Sequence, residues 1–358
     1  MINTDLLIIG AGPAGLCAAI EASAAGAKVL LLERSHMPGG QLVKQTHMFF
    51  GSESQYASYR GIEISDILLN QLSPTVDMRL NATALAAYDD GVWTAEINGN
   101  YTKIRPKAVV VATGAGEKTL PFPGNDLPGI CGAGAIQTLM NQFGVKPAER
   151  VIMLGAGNIG LIVSYQLLQA GVEVLAIAEG SPKIGGYLVH AAKLRRMGVP
   201  ILTKHTVKRA DDGGDNKLKS VTLWELDDNW NGISGSEKVY EADTLCIAIG
   251  LSPLSELLWQ AGCKMQFVPV LGGYVPFRDE NMQTSVQNLF IAGDVGGIEE
   301  ASSAMVAGRL AGLSVAVELG FELKDIEAKK QDCRNQLKSL RHGQMGERIM
   351  AGISQILL

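Results

Sequence analysis

Short apolar runs recur along the chain, each closed by glycine and followed by a stretch of helical spacing. Leu6-Leu7-Ile8-Ile9 runs into Gly10-Ala11-Gly12-Pro13-Ala14-Gly15, and Val151-Ile152-Met153-Leu154 into Gly155-Ala156-Gly157-Asn158-Ile159-Gly160. Runs of this length bounded by turn residues predict buried strands. The alternation with helical segments predicts parallel sheets with right-handed crossovers. Further strands are predicted at Ala108–Ala112, ending in Thr113-Gly114, at Thr244–Ile249, ending in Gly250, and at Asn288–Ala292, ending in Gly293-Asp294. Residues 81–104 alternate around Trp93, Ala95 and Ile97 as an antiparallel meander. A second meander is expected over 211–238, with turns at Asp211–Asn216 and Asp227–Asn229. The small-residue segment Ala301–Val317 reads as a helix.

The two glycine-rich runs head an internal repeat. The step from Gly10 to Gly26 equals that from Gly155 to Gly171. The strands Val29–Leu32 and Val174–Ala178 then end in Glu33 and Glu179, the second copy carrying one extra residue before its acid. The pairs Gly39-Gly40 and Gly185-Gly186 follow at equal distance. The motif has a mechanism: a tight turn, backbone approach to a pyrophosphate, and close helix–strand packing, with the helix N-terminus offering N–H groups and partial positive charge. An acid at the end of the next strand accepts from the adenosine ribose. Two copies predict a protein that brings two dinucleotides together, for which electron transfer is the evident reason.

Composition narrows the class. A chain of 358 residues favours two domains, and 47% hydrophobic residues with 42 glycines suit an α/β protein. A net charge of −5 argues against nucleic acid as a partner. No apolar run reaches the roughly 18 residues of a transmembrane helix, and Leu6–Ile9 starts a strand without a signal-peptide pattern, so the cytoplasm is expected. The cysteines Cys17, Cys131, Cys246, Cys263 and Cys333 include no CxxC pair. Cys17 and Cys246 sit inside apolar runs and read as small core residues; Cys131, in a glycine-rich turn, is the one left open to a redox role. The acidic clusters read as solvated turns, since their spacing is wrong for a calcium loop, and no metal site is expected.

The ordered set Gly10-Ala11-Gly12-Pro13-Ala14-Gly15, Glu33, Ala112-Thr113-Gly114 and Gly293-Asp294, with the second glycine motif, resembles the flavoproteins with two dinucleotide-binding domains, over about residues 1–320. The resemblance implies two Rossmann-like domains, the NAD(P) domain inserted into the FAD domain: 1–117 and 253–323 for FAD, 118–252 for NAD(P), and 324–358 as a tail able to form a helical arm. It implies that Gly10, Gly12, Pro13, Ala14 and Gly15 cradle the FAD pyrophosphate and that Glu33, with Arg34 beside it, holds the ribose. Gly40 and Gln41 would lie toward the isoalloxazine, Thr113 and Gly114 near the adenine half, and Gly293 and Asp294 near the ribityl chain. The helix starting near Ala301 would face the flavin pyrimidine ring. Gly155, Gly157, Asn158, Ile159 and Gly160 would bind the nicotinamide nucleotide. Glu179 favours NAD over NADP, because a carboxylate accepts from a 2′-hydroxyl and repels a 2′-phosphate.

Thioredoxin reductases carry a CxxC that this chain lacks, so disulfide reduction by that route is set aside. The stretches 128–150 and Gly185–Arg196 resemble instead the branch holding subunits of heteromeric sarcosine oxidase, opine oxidase, hydrogen cyanide synthase and dye-linked proline dehydrogenase. That implies an oxidoreductase subunit in a homo- or hetero-oligomer, exchanging electrons with a partner flavoprotein or iron–sulfur subunit. The alternatives are a free-standing NADH:acceptor reductase and a non-catalytic nucleotide-binding scaffold. Hydride transfer between cofactors needs no protein acid or base, so no catalytic residue is named. Of the histidines, His47 reads as a proton relay or, in preference, as a loop residue, and His190 as a residue of a surface helix.

Overall fold

The computed structural model describes residues 1–358, and its contacts divide the chain into two compact units. One comprises Met1–Gly116 with Ser252–Leu358, the other Glu117–Leu251. No helix is long and apolar enough to cross a membrane.

The first unit is built on a seven-stranded sheet. Ile2–Ile9 lies between Val29–Leu32 and Asn100–Val111, parallel to both, and Asp77–Arg79 and Leu289–Ile291 extend the parallel part. Leu6, Leu7, Ile8 and Leu31 are fully buried, as unbroken apolar strands covered on both faces should be. The meander and the strand at Ala108 turn out to be continuous. Asn100–Val111 is one strand: its first half pairs antiparallel with Trp93–Ile97 while the stretch from Ile104 onward runs beside Ile2–Ile9. Pro106 does not stop it, and Thr4 sits opposite in the register.

The helices Pro13–Ala24 and Ala301–Glu318 pack closely because of two glycines. A Cβ on Gly308 would fall on the Ala14 carbonyl and one on Gly312 on the Ala18 carbonyl. The small-residue composition of the second helix is therefore a packing device that sets its start beside the first glycine turn. The tail folds as two helices, Ile326–Leu340 and Gly343–Ile353. Cys333 and Leu337 enter the main core, and Ile353 and Ile356 pack with Val268, Leu271 and Val275. Leu357, read with them as an apolar end, is exposed.

In the second unit five parallel strands run in the order Ile201–Thr203, Glu173–Glu179, Arg150–Leu154, Thr244–Ile247, Ile130–Gly132. A separate antiparallel sheet of His205–Asp211, Ser220–Glu225 and Lys238–Glu241 forms the second meander. Its acidic turns are self-capping: Asp212 accepts from the N–H groups of Gly214 and Asn216, and Asp227 from those of Asn229 and Asn231.

Candidate nucleotide-binding sites

Each unit holds a strand–turn–helix built to one plan. Gly10 and Gly155 take φ of +106° and +108°, and a Cβ on either would strike a carbonyl of the neighbouring strand end, Ala112 or Ala248. Only glycine fits there. Gly15 and Gly160 close the turn, since a Cβ on either would fall on the carbonyl of Gly10 or Gly155. The helices Pro13–Ala24 and Asn158–Gln169 then begin with Gly12 and Gly157 as N-caps, and no side chain caps either end. The N–H groups of the first turn have no intrahelical partner and are left for a ligand.

The acids occupy equivalent places. Glu33 Oε2 accepts from the Ala11 N–H at 2.8 Å and Oε1 from the Ser35 N–H at 2.9 Å. Glu179 Oε2 accepts from Ala156 at 2.8 Å and Oε1 from Ser181 at 2.9 Å. The extra residue before Glu179 is absorbed in the strand, where the register slips between Val174 and Ala176, a bulge at Leu175. The glycine pairs differ by one position from the sequence reading. Gly39 N–H donates to Ala11 O at 2.8 Å, but its counterpart is Gly186, donating to Ala156 O at 2.9 Å. Gly186 combines two jobs, since it also crowds the start of its helix as Gly40 crowds Gly12: a Cβ there would lie 2.9 Å from Asn158 N, and one on Gly40 2.7 Å from Gly12 Cα.

Gly12 and Gly157 test whether these cradles fit a dinucleotide. Both have ordinary extended backbone, φ −75° and −74°, open to any residue. A Cβ on Gly12 would meet only Gly40 Cα, at 3.8 Å, and one on Gly157 nothing within 4 Å. The protein itself does not require glycine at either position; a phosphate drawn against the helix N-terminus does. Each carboxylate, with two of about four acceptor positions used by backbone, keeps two for ribose hydroxyls. The residues present therefore fit the groups.

Around the first cradle the other candidate residues converge unevenly. Gly293 abuts the first turn, a Cβ there lying 2.9 Å from Ala14 Cβ, and Ala301 opens the helix that Gly308 and Gly312 draw in. Thr113 donates to Leu254 O at 2.7 Å, and Leu254 N–H donates to Gly114 O, so this pair ties the sheet end to the returning chain. Arg34 and Gln41 are exposed, and His47 stacks on Phe49 with ring centroids 5.8 Å apart. In the second unit Asn158 Oδ1 accepts from Tyr187 N–H at 2.8 Å, which spends the side chain on the loop, and Ile159 is partly exposed. His190, read as a surface residue, is 8% exposed because its helix turns it inward, and burial lowers its pKa.

Asp294 lines a small cavity with Arg278, Glu299 and Arg341. Burial pushes its carboxyl up to about 7; the Glu299 N–H, at 3.3 Å, opposes that rise, while the Glu299 charge adds to it. A carboxyl poised there can donate as well as accept toward a ribityl chain. The folded-state pKa lies above the unfolded value of 3.8, so this group favours the fold below about pH 4 and that contribution is lost as pH rises to about 7. For the apoprotein, Asp294→Asn is expected to raise Tm above the parent by a margin that grows between pH 4 and 7. Thermal melts across that range check it, and a constant margin would contradict the titration.

Two contributors lay outside the sequence reading. Arg341, from the tail, forms a buried two-pronged ion pair with Glu299 at 2.7 and 2.8 Å, and Arg278 is buried with its guanidinium lowered to about 10. Nothing local in sequence joins positions 278, 299 and 341.

Comparison with known proteins agrees with this geometry. A family model described as pyridine nucleotide-disulphide oxidoreductase matches residues 4–308. The A-type component of opine oxidase from Agrobacterium tumefaciens (strain Ach5) is 30% identical, over 88% of this chain and 66% of its own length. The alpha subunit of sarcosine oxidase from Corynebacterium sp. (strain P-1) is 29% identical, over 90% of this chain and 33% of its own length. The chain thus spans just under two thirds of the one and a third of the other. The thioredoxin reductase structure from T. acidophilum superposes with a TM-score of 0.72 at 23% identity, over 89% of this chain and 99% of that one, which shows the shared fold. With two Rossmann-type glycine turns, each beside its acid, the chain belongs to the pyridine nucleotide-disulphide oxidoreductase family, whose members work with FAD and a nicotinamide cofactor.

Proposed function

We propose that the first unit binds FAD and the second NAD(H), and that the chain is one component of a multi-subunit oxidase or dehydrogenase acting on an amino-acid-type substrate, exchanging electrons with a partner flavoprotein or iron–sulfur protein. The observation that carries the nucleotide part is the open space in front of Gly12 and Gly157, where the protein leaves glycine without needing it. The multi-subunit part draws support from the opine oxidase and sarcosine oxidase relatives, each a named subunit of its enzyme. A cytoplasmic location completes this reading.

The groups, when bound, supply hydride transfer between nicotinamide and flavin. The chain's own residues bind and polarise. In this reading the free N–H groups at the start of Pro13–Ala24 hold the FAD pyrophosphate, Glu33 accepts from its ribose hydroxyls, and Asp294 serves the ribityl chain. The uncapped start of Ala301–Glu318 offers partial positive charge where electron density gathers on reduction. Glu179 accepts from the NAD ribose, and its charge opposes a 2′-phosphate.

The purified chain is expected to be yellow, and anaerobic NADH to bleach it. A protein that stays colourless after soaking in FAD overturns the flavin assignment. Unchanged flavin absorbance under excess NADH overturns the NADH assignment and favours the scaffold.

A further inference from the structure

Cys131 and Cys246 are 115 residues apart in sequence, yet they are direct neighbours in the second unit's sheet. Strands Ile130–Gly132 and Thr244–Ile247 pair in parallel with Cys246 opposite Cys131. Adjacent strands lie about 4.7–4.9 Å apart, inside the roughly 4.4–6.8 Å between Cα atoms that a disulfide bridges. Both side chains project to the same face, since both pack in the cluster containing Ala133, Ile136, Val151 and Met153. The Cys246 thiol hydrogen-bonds to the Cys131 sulfur. Cys131 is half-buried, whereas Cys246 is fully buried.

We propose that Cys131 and Cys246 form a reversible dithiol–disulfide site, with the accessible Cys131 as the attacking sulfur and the buried Cys246 as the resolving one. The oxidant is a hydroperoxide. The Cys131 thiolate attacks the peroxide oxygen, the O–O bond breaks, and the departing oxygen takes a proton to leave as an alcohol or water. Cys131 becomes a sulfenic acid. The Cys246 sulfur then attacks Cys131, the S–O bond breaks, and hydroxide leaves as water with the Cys246 proton. Two thiols lose two electrons and the peroxide gains them; two equivalents of a small thiol reverse the step.

The electrostatics assign the two roles. Donation from Cys246 holds the Cys131 thiol below its usual range, against burial and the nearby Glu117 charge. Cys246, giving up that donation when ionised and buried besides, is held well above it. The thiolate, the reactive form, therefore resides on the sulfur that oxidant can reach. Glu117 is fixed in place by the Gly134 N–H, which donates to it at 2.7 Å. None of this depends on which nucleotides the protein binds.

The test treats the intact chain with hydrogen peroxide, alkylates it under denaturing conditions with N-ethylmaleimide, and maps tryptic peptides by mass spectrometry. The expected result is loss of two of the five alkylatable thiols, a link between the peptide containing Cys131 and that containing Cys246, and recovery of both with dithiothreitol. Five thiols after peroxide, or links to other cysteines, overturn the proposal. Cys246→Ser is expected to stop the reaction at Cys131, trapped as a single dimedone adduct; adducts elsewhere overturn the assigned roles. Should that variant fail to fold, the peptide map of the unaltered chain decides alone.

Discussion

Gly12→Ala is expected to abolish flavin retention while leaving the fold as stable as the parent. The added Cβ meets only Gly40 Cα at 3.8 Å, an ordinary contact, and the backbone at φ −75° accepts alanine without strain. As an N-cap, alanine in place of glycine costs on the order of 1 kcal/mol or less, so Tm should hardly move. The same methyl lies where a pyrophosphate would press against the helix N-terminus, and flavin affinity is expected to fall at least about tenfold, or roughly 1.4 kcal/mol. Gly15→Ala is the contrasting variant. Its Cβ would fall on the Gly10 carbonyl, so flavin and fold should be lost together. Absorbance of the purified variants with circular-dichroism melts separates the two. A Gly12→Ala protein as yellow as the parent would place the flavin somewhere other than this cradle.

That contrast also marks how far the sequence can be read. The glycine turns were legible because strand, turn and helix are contiguous, and the steric demands on Gly10, Gly15, Gly155 and Gly160 are met within the repeat itself or at one adjoining strand end. The acids were legible for the same reason, and the one irregularity in the repeat has a local cause, the bulge at Leu175. Spacing misled where a loop intervenes. Equal distances from Glu33 to Gly39 and from Glu179 to Gly185 suggested equivalence, but hydrogen bonding pairs Gly39 with Gly186, since a loop need match only at its ends. Features set by strand register or by the returning chain left no local trace. The Cys131–Cys246 neighbourhood depends on which strands flank Arg150–Leu154, and Arg341 reaches Glu299 only because the tail helices fold back on the first unit. His190 was misplaced because a short helix with Lys193, Arg195 and Arg196 looks solvent-facing, although the histidine lies on its buried side.

Glu179→Gln is expected to lower kcat/KM for NADH at least about tenfold, while the value for NADPH changes much less, so that the preference collapses. The carboxylate is held by two backbone donors, Ala156 and Ser181, each to a different oxygen. Glutamine keeps one acceptor oxygen for Ala156 or Ser181 but turns an N–H₂ toward the other, and it removes the negative charge. A ribose 2′-hydroxyl loses a charge-assisted acceptor, a bond about twice as strong as a neutral one, whereas a 2′-phosphate loses a repulsive neighbour. The two nucleotides should therefore respond unequally, and to a degree that loop loosening alone would not produce, because a displaced loop penalises both. Equal losses for NADH and NADPH would mean that Glu179 serves only to brace the turn and that the nucleotide preference is set by other residues.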